Sequence, residues 1–195
     1  MATPPGLKFQ RYDAAGARQI RDTVALIHQE AYVERIKSGN PFYTPEAFLR
    51  RFDSYTASDG FEMVVAYLDG EPAGQTWGWP LTQRRGARWW DGLVSEPEPG
   101  FTHEDGTRTF ALSELMVRQA YTGQHIAHAL HDELLRGRAE RRATLLVNPV
   151  NQTAFEIYQR WRWRKVAQLR PAWPGAPLFN VLILPLPVGA DTRPA

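Results

Sequence analysis

Two short stretches of the chain hold residue types whose spacing can do chemistry. The first reads Thr122-Gly123-Gln124-His125-Ile126-Ala127, follows the apolar run Leu115-Met116-Val117 and opens a helical pattern. A strand that feeds a small-residue turn at a helix start leaves the first backbone N–H groups unpaired, and the helix dipole adds positive potential there. Such a turn can hold an anion the size of a pyrophosphate, although an ordinary strand-to-helix turn can read the same way. The second stretch runs from Asn151 to Trp163. Asn151 suits a helix cap, and Ala154, Ile157, Tyr158 and Trp161 fall on one helix face. A buried Tyr158 needs a partner for its hydroxyl. It is either a packed core tyrosine or a group that can hand a proton to a departing thiolate.

Glu114 adds a third candidate. It lies among Leu112, Ser113 and Leu115 in what should be a central strand, where a carboxylate is costly unless it is paired or used. Partial burial would raise its pKa toward that of a useful general base. A structural acid paired with one of the many arginines is an equal alternative.

Other clusters read more plainly. Thr82 to Gly106 is an irregular stretch holding Arg84, Arg85, Arg88, Trp89 and Trp90, then several acids and prolines. Loops of this length are often functional. His103, Glu104 and Asp105 are better explained by a turn than by a metal. His125, His128 and His131 recur every three residues, a spacing that drifts around a helix and fits no standard ligand motif. They read as a solvated helix face, and no metal site is expected.

These residues must be positioned by regular elements. Leu7–Tyr12 alternates as a strand, and Ala14–Lys37 reads as one long helix with Ile20, Val24, Ile27 and Ala31 on its apolar face. Thr44-Pro45-Glu46 starts a second helix. Phe61–Leu68 and Ala73–Trp79 form a hairpin around Asp69-Gly70. Thr107–Val117 is a strand, Gly123–Arg141 a helix, Ala143–Val147 a strand, Asn151–Arg162 a helix, and Trp163–Leu169 and Leu178–Leu184 the last two strands. The order β-α-α-β-β-β-α-β-α-β-β predicts an α/β (α+β) fold, a mixed sheet of about seven strands with helices packed on it.

Size and composition bound the rest. The 195 residues suit one domain, with loose Pro-rich tails at 1–6 and 185–195. Lys and Arg exceed Asp and Glu by only two, and the arginines form no continuous stripe, so nucleic acid is not an expected partner. The absence of Cys excludes disulfides, thiolate metal sites and a covalent cysteinyl route. With no signal-like start and no apolar run of about 18 residues, a cytoplasmic protein with no membrane partner is expected.

Taken together, the two stretches resemble the signatures of the GNAT superfamily of coenzyme-A-dependent N-acyltransferases. The turn Arg/Gln-x-x-Gly-x-Gly/Ala aligns with Thr122 to Ala127. The pattern Asn-x-x-Ala-x-x-Leu-Tyr-x-x-x-Gly-Phe aligns with Asn151, Ala154, Ile157, Tyr158, Arg162 and Trp163. Thr122 stands where the family has Arg or Gln, and His125 and Arg162 stand where it has Gly. The resemblance spans roughly residues 7 to 184 and implies the GNAT fold, with helices on both faces of the sheet.

It also implies acetyl-CoA as co-substrate, with no metal, and transfer of an acetyl group to a primary amine by direct attack in a ternary complex. Backbone groups of Leu115, Met116 and Val117 would pair with pantetheine, and the turn Thr122, Gly123, Gln124, His125, Ile126 and Ala127 would hold the pyrophosphate. Asn151 would sit near the pantetheine. Glu114 would act as base, a backbone N–H of the fourth strand would hold the developing oxyanion, and Tyr158 would protonate the leaving thiolate. Trp89 and Trp90 would wall the pocket for a small-molecule or peptide acceptor and Arg88 would attract an acidic one. The tryptophans would equally suit the contacts of a homodimer. The departures in the turn leave two rivals: an acyl donor on a phosphopantetheinyl carrier protein, and a non-catalytic coenzyme-A-binding regulator.

Overall fold

The computed structural model describes residues 3–83, 86–172 and 175–188. Arg84, Arg85 and the outermost parts of the expected tails, residues 1–2 and 189–195, lie outside the described residues.

Seven strands form one mixed sheet in the order β1-β2-β3-β4-β5-β7-β6. They are β1 (Leu7–Asp13), β2 (Glu62–Leu68), β3 (Glu71–Pro80), β4 (Thr109–Val117), β5 (Arg142–Val147), β6 (Arg164–Leu169) and β7 (Phe179–Pro185). The helices are α1 (Ala14–Gln19), α2 (Arg21–Ala31), α3 (Val33–Lys37), α4 (Pro45–Tyr55), α5 (Gly86–Trp89), α6 (Ile126–Leu135) and α7 (Gln152–Arg160). This is the mixed α/β architecture read from the sequence. No described helix is long and apolar enough to cross a membrane.

The chain divides into two compact units. The first comprises Met1–Trp79 and Glu114–Arg136. Its strands β1, β2 and β3 pair antiparallel, with a shift in the β2–β3 register between Ala66 and Tyr67, and the β2–β3 hairpin turns at Asp69 and Gly70, both at positive φ. A two-residue turn with two positive φ angles matches the twist of the flanking strands. Side chains alternate along β3. Gln75 and Trp77 face α2 and α4, where Gln75 Nε2 donates to the Val24 carbonyl at 3.1 Å and the Trp77 ring lies 6.0 Å from Phe48. Gly74 belongs to the other face, where α6 comes so close that a Cβ would stand 2.8 Å from the Met116 carbonyl oxygen and 3.0 Å from Leu130. Only a glycine lets the end of β4 and helix α6 approach β3 this closely.

The expected long helix over Ala14–Lys37 is instead three helices. The chain breaks at Ile20 (φ −99°, ψ 26°) and at Tyr32 (φ −112°, ψ 28°). The apolar spacing runs through the first break unaltered, because Ala17 in α1 and Val24 and Ile27 in α2 are all buried. Helix α6 is also shorter than Gly123–Arg141. It starts at Ile126 and stops at Leu135, just before Gly137 at φ +72°, the left-handed glycine that commonly ends helices.

The second unit comprises Pro80–Ser113 and Gly137–Ala195. Here the start of β4 runs parallel to β5, with Thr109 opposite Arg142 and Ala111 opposite Thr144. Strand β7 pairs antiparallel with both β5 and β6. The segment before β4 is held by a buried acid. Glu104, 3% exposed, accepts through Oε1 from Trp90 Nε1 at 3.1 Å, Thr109 Oγ1 at 2.8 Å and Arg142 Nη2 at 3.2 Å. The next residue makes the expected turn, with Asp105 Oδ1 accepting from the Thr107 N–H at 2.8 Å.

Candidate active site

The anion-binding candidate lies in the first unit. Thr122 turns its hydroxyl back onto the Gln119 carbonyl at 2.9 Å. Gly123 then takes φ +77° and His125 φ +61°. Two left-handed residues so close together curl the chain and turn successive N–H groups to one side, as in backbone anion nests. Among the described residues, the N–H groups of Gly123, Gln124, His125, Ile126 and Ala127 donate to no partner, and no side chain caps α6. A Cβ added at Gly123 would meet nothing within 4 Å, and the His125 side chain is exposed. The turn is therefore a row of free donors at a helix start, open on the outside, and its chemistry fits a pyrophosphate.

His125 and Arg162 stand where the related motifs carry glycine. Both keep the glycine conformation, at φ +61° and +70°. A residue with a Cβ pays about 1–2 kcal/mol to hold that shape. His125→Gly should therefore raise stability by roughly 1 kcal/mol after allowing for the looser unfolded chain, as measured by urea unfolding. A loss of stability in that variant would show that the imidazole holds the turn in place.

The remaining histidines of α6 do not form a solvated face. His131 is 1% exposed, and its Nδ1 lies 2.8 Å from Asp132 Oδ1. His128 is half-buried, with Nε2 3.6 Å from Asp132 Oδ2. Ligand atoms of His128, His131 and Asp132 fall within 4.8 Å of one another. The geometry pairs each imidazole with the same carboxylate.

Glu114 also belongs to the first unit. Its backbone is fixed by Thr76, whose Oγ1 donates to the Glu114 carbonyl at 2.8 Å. The residue keeps some solvent contact, yet its carboxyl sits deep, and burial pushes the pKa from 4.5 up to about 7 against the opposing pull of Arg51. Its carboxylate makes no hydrogen bond among the described residues. A carboxylate of that pKa with no committed partner can take a proton near neutrality. Just beyond it come Leu115, Met116 and Val117, the last residues of β4.

The second unit carries Tyr158 and Asn151. Asn151 caps α7, accepting from the Ala154 N–H at 3.2 Å. Tyr158 is half-buried, with edge-on contacts to Trp161 at 5.6 Å and Trp163 at 6.0 Å. Among the acceptor-pocket candidates, Arg88 is exposed and Trp89 half-buried, whereas Trp90 is buried with its indole N–H on Glu104.

Sequence reasoning missed a set of polar residues in the first unit. His28 on α2, Arg51 on α4, and Gln75 and Trp77 on β3 are gathered on the face of the sheet that α2 and α4 cover. One signal was available. His28 follows Val24 by four residues and Ile27 by one, which places it on the apolar side of its helix.

The sequence matches the family described as Acetyltransferase (GNAT) family over residues 27–162. No curated protein matches the chain. Among solved structures it is similar to an acetyltransferase from Thermus thermophilus, at 14% identity and TM-score 0.63 over 95% of this chain and 100% of that one. It is similar to a GNAT family acetyltransferase from Elizabethkingia anophelis with acetyl-CoA bound, at 13% identity and TM-score 0.59 over 94% and 100%. A paia N-acetyltransferase from Thermoplasma acidophilum in complex with coenzyme A aligns at 13% identity and TM-score 0.53 over 92% and 98%. At these identities the structural likeness is one of fold.

Proposed function

The chain belongs to the acetyltransferase (GNAT) family and is an acyltransferase, and from that premise we propose that it moves an acetyl group from acetyl-CoA to a primary amine by direct attack. The observation that carries this reading is the run of free backbone donors from Gly123 to Ala127 at the start of α6. When bound, acetyl-CoA supplies the acyl carbon and a thiol leaving group.

The chain's own residues would do the rest. The α6 N–H groups hold the diphosphate, and backbone groups of Leu115 to Val117 hold the pantetheine arm like an added strand. Glu114 takes the proton that the amine loses as its N–C bond forms, and a β4 N–H holds the developing oxyanion. Tyr158 gives its proton to the thiolate as the C–S bond breaks. The raised pKa of Glu114 supports the base role, since an ordinary carboxylate would be too weak a proton acceptor at neutral pH.

The test is thiol release from acetyl-CoA across a panel of primary amines, with calorimetry of coenzyme A alone. Binding of coenzyme A together with amine-dependent thiol release is expected. Binding without release for any amine would instead make the chain a coenzyme-A-binding regulator. Binding only to a phosphopantetheinyl carrier protein would move the acyl donor to that carrier.

A further inference from the structure

The histidines of α6 form a different constellation from the series His125, His128 and His131 that the sequence suggests. His125 drops out and Asp132 comes in. His128 and His131 stand three residues apart, and His128 and Asp132 four apart, the two spacings that make side chains neighbours on a helix surface. His131 Nδ1 lies 2.8 Å from Asp132 Oδ1, and His128 Nε2 lies 3.6 Å from Asp132 Oδ2. The two imidazoles stack, with planes 20° apart and ring centroids 6.1 Å apart. One ligand atom from each of the three residues falls within 4.8 Å of the other two. Among the described residues this is the one group of three such side chains whose ligand atoms come so close. All three belong to the first unit.

These distances suit a small coordination shell. Four-coordinate zinc takes imidazole nitrogen at about 2.0–2.1 Å and carboxylate oxygen at about 2.0–2.2 Å, which sets neighbouring ligand atoms about 3.3 Å apart. The two nitrogen–oxygen separations, 2.8 and 3.6 Å, fall on either side of that value. The remaining separation, at most 4.8 Å, has to close by about 1.5 Å at most. Exposure divides the work. The His131 side chain is 1% exposed and fixed by its surroundings, whereas those of His128 and Asp132 are 42% and 50% exposed and can turn toward an ion arriving from solvent. The donor set selects the ion. Two imidazoles and one carboxylate suit zinc, copper, nickel or iron, while magnesium and calcium prefer oxygen ligands throughout. Three protein ligands leave a fourth position for water.

We propose that His128 Nε2, His131 Nδ1 and the Asp132 carboxylate form a binding site for one divalent transition-metal ion of the zinc type. The site is independent of the acetyltransferase reading, since neither Glu114 nor Tyr158 belongs to it. The ion joins the first and second turns of α6 and so clamps the helix that carries the free donors from Gly123 to Ala127 at its start. Its binding adds to the stability of the folded chain, because the unfolded chain does not hold the three ligands together.

Calorimetric titration of the untagged chain with zinc chloride tests this directly. A saturable isotherm with one ion per chain is expected, together with a zinc-dependent rise in Tm. His128→Gln and Asp132→Asn change side chains that are largely at the surface, so both variants should fold. Each should weaken zinc binding by about 10-fold or more, since even partners that only orient a ligand cost that much when lost, and each should lose most of the rise in Tm. His103→Gln, which alters an exposed histidine of the second unit, should leave the isotherm unchanged. Cobalt(II) in place of zinc gives a readout apart from heat and stability: visible absorption bands should grow to saturation at one equivalent in the wild type and in His103→Gln, and should weaken in Asp132→Asn. Magnesium at the same concentration should not displace the cobalt. Absence of saturable zinc binding overturns the proposal, as does an isotherm that neither His128→Gln nor Asp132→Asn alters. Half an ion per chain, with dimers forming as zinc is added, also overturns it, because the ligands would then come from two chains.

Discussion

Replacing Glu114 by Gln should lower kcat/KM by about 100- to 1000-fold and remove the rise in rate expected of the wild type as pH passes through about 7. Gln keeps the shape and polarity of the side chain but cannot take a proton. The pH profile separates this role from a structural one, because a merely structural acid would change the height of the profile and leave its limb in place.

The same residue should shape stability, and the sign can be worked out. The folded pKa of Glu114 lies near 7 against an ordinary 4.5, so between those values the folded chain binds more protons than the unfolded one. Stability from this group is therefore full below pH 4.5 and is lost as pH rises toward 7, by up to roughly 3 kcal/mol. His28 works the other way. Its folded pKa lies near 4 against 6.5, so the unfolded chain binds more protons in that window and stability is lost as pH falls from 6.5 to 4. The two slopes oppose each other between about 4.5 and 6.5. Glu114→Gln removes one of them. The variant should be more stable than the wild type at pH 8, show little difference below pH 4.5, and leave only the His28 slope between, as read by urea unfolding across pH. A variant less stable than the wild type at pH 8 would mean that the ionised Glu114 is well paired in the fold.

Tyr158→Phe should cost about 100-fold or more in kcat while the affinity for coenzyme A changes by no more than a few-fold. Phe retains the ring that meets Trp161 and Trp163 edge-on, so loss of the hydroxyl should cost stability only about 1 kcal/mol. The split between kcat and binding decides between proton donor and packing residue. If kcat is unaltered, the proton reaches the thiolate from elsewhere.

The strands were legible because their alternation and their turn residues are local. Asp69-Gly70 marked the β2–β3 hairpin, and both residues take the positive φ that such a turn needs. The breaks at Ile20 and Tyr32 were not legible, since neither residue is a helix breaker and the apolar spacing continues through the first. Within the site, the α6 turn could be found from one glycine and its position after a strand. That His125 and Arg162 would hold glycine-like backbones could not, because side-chain type alone argues against it. Glu104 looked like part of a polar turn; it is buried because Arg142, 38 residues away, meets it there. The layer of His28, Arg51, Gln75 and Trp77 draws on two helices and a strand, and only the tertiary fold brings it together.

The central claim is that main-chain donors at the start of α6 grip a diphosphate. Amide-resolved NMR during a coenzyme A titration measures this directly. The amide resonances of Gly123, Gln124, His125, Ile126 and Ala127 should move together and saturate, and adenosine without phosphates should leave them in place. Coenzyme A that binds without disturbing those five amides, or that does not bind at all, would contradict it.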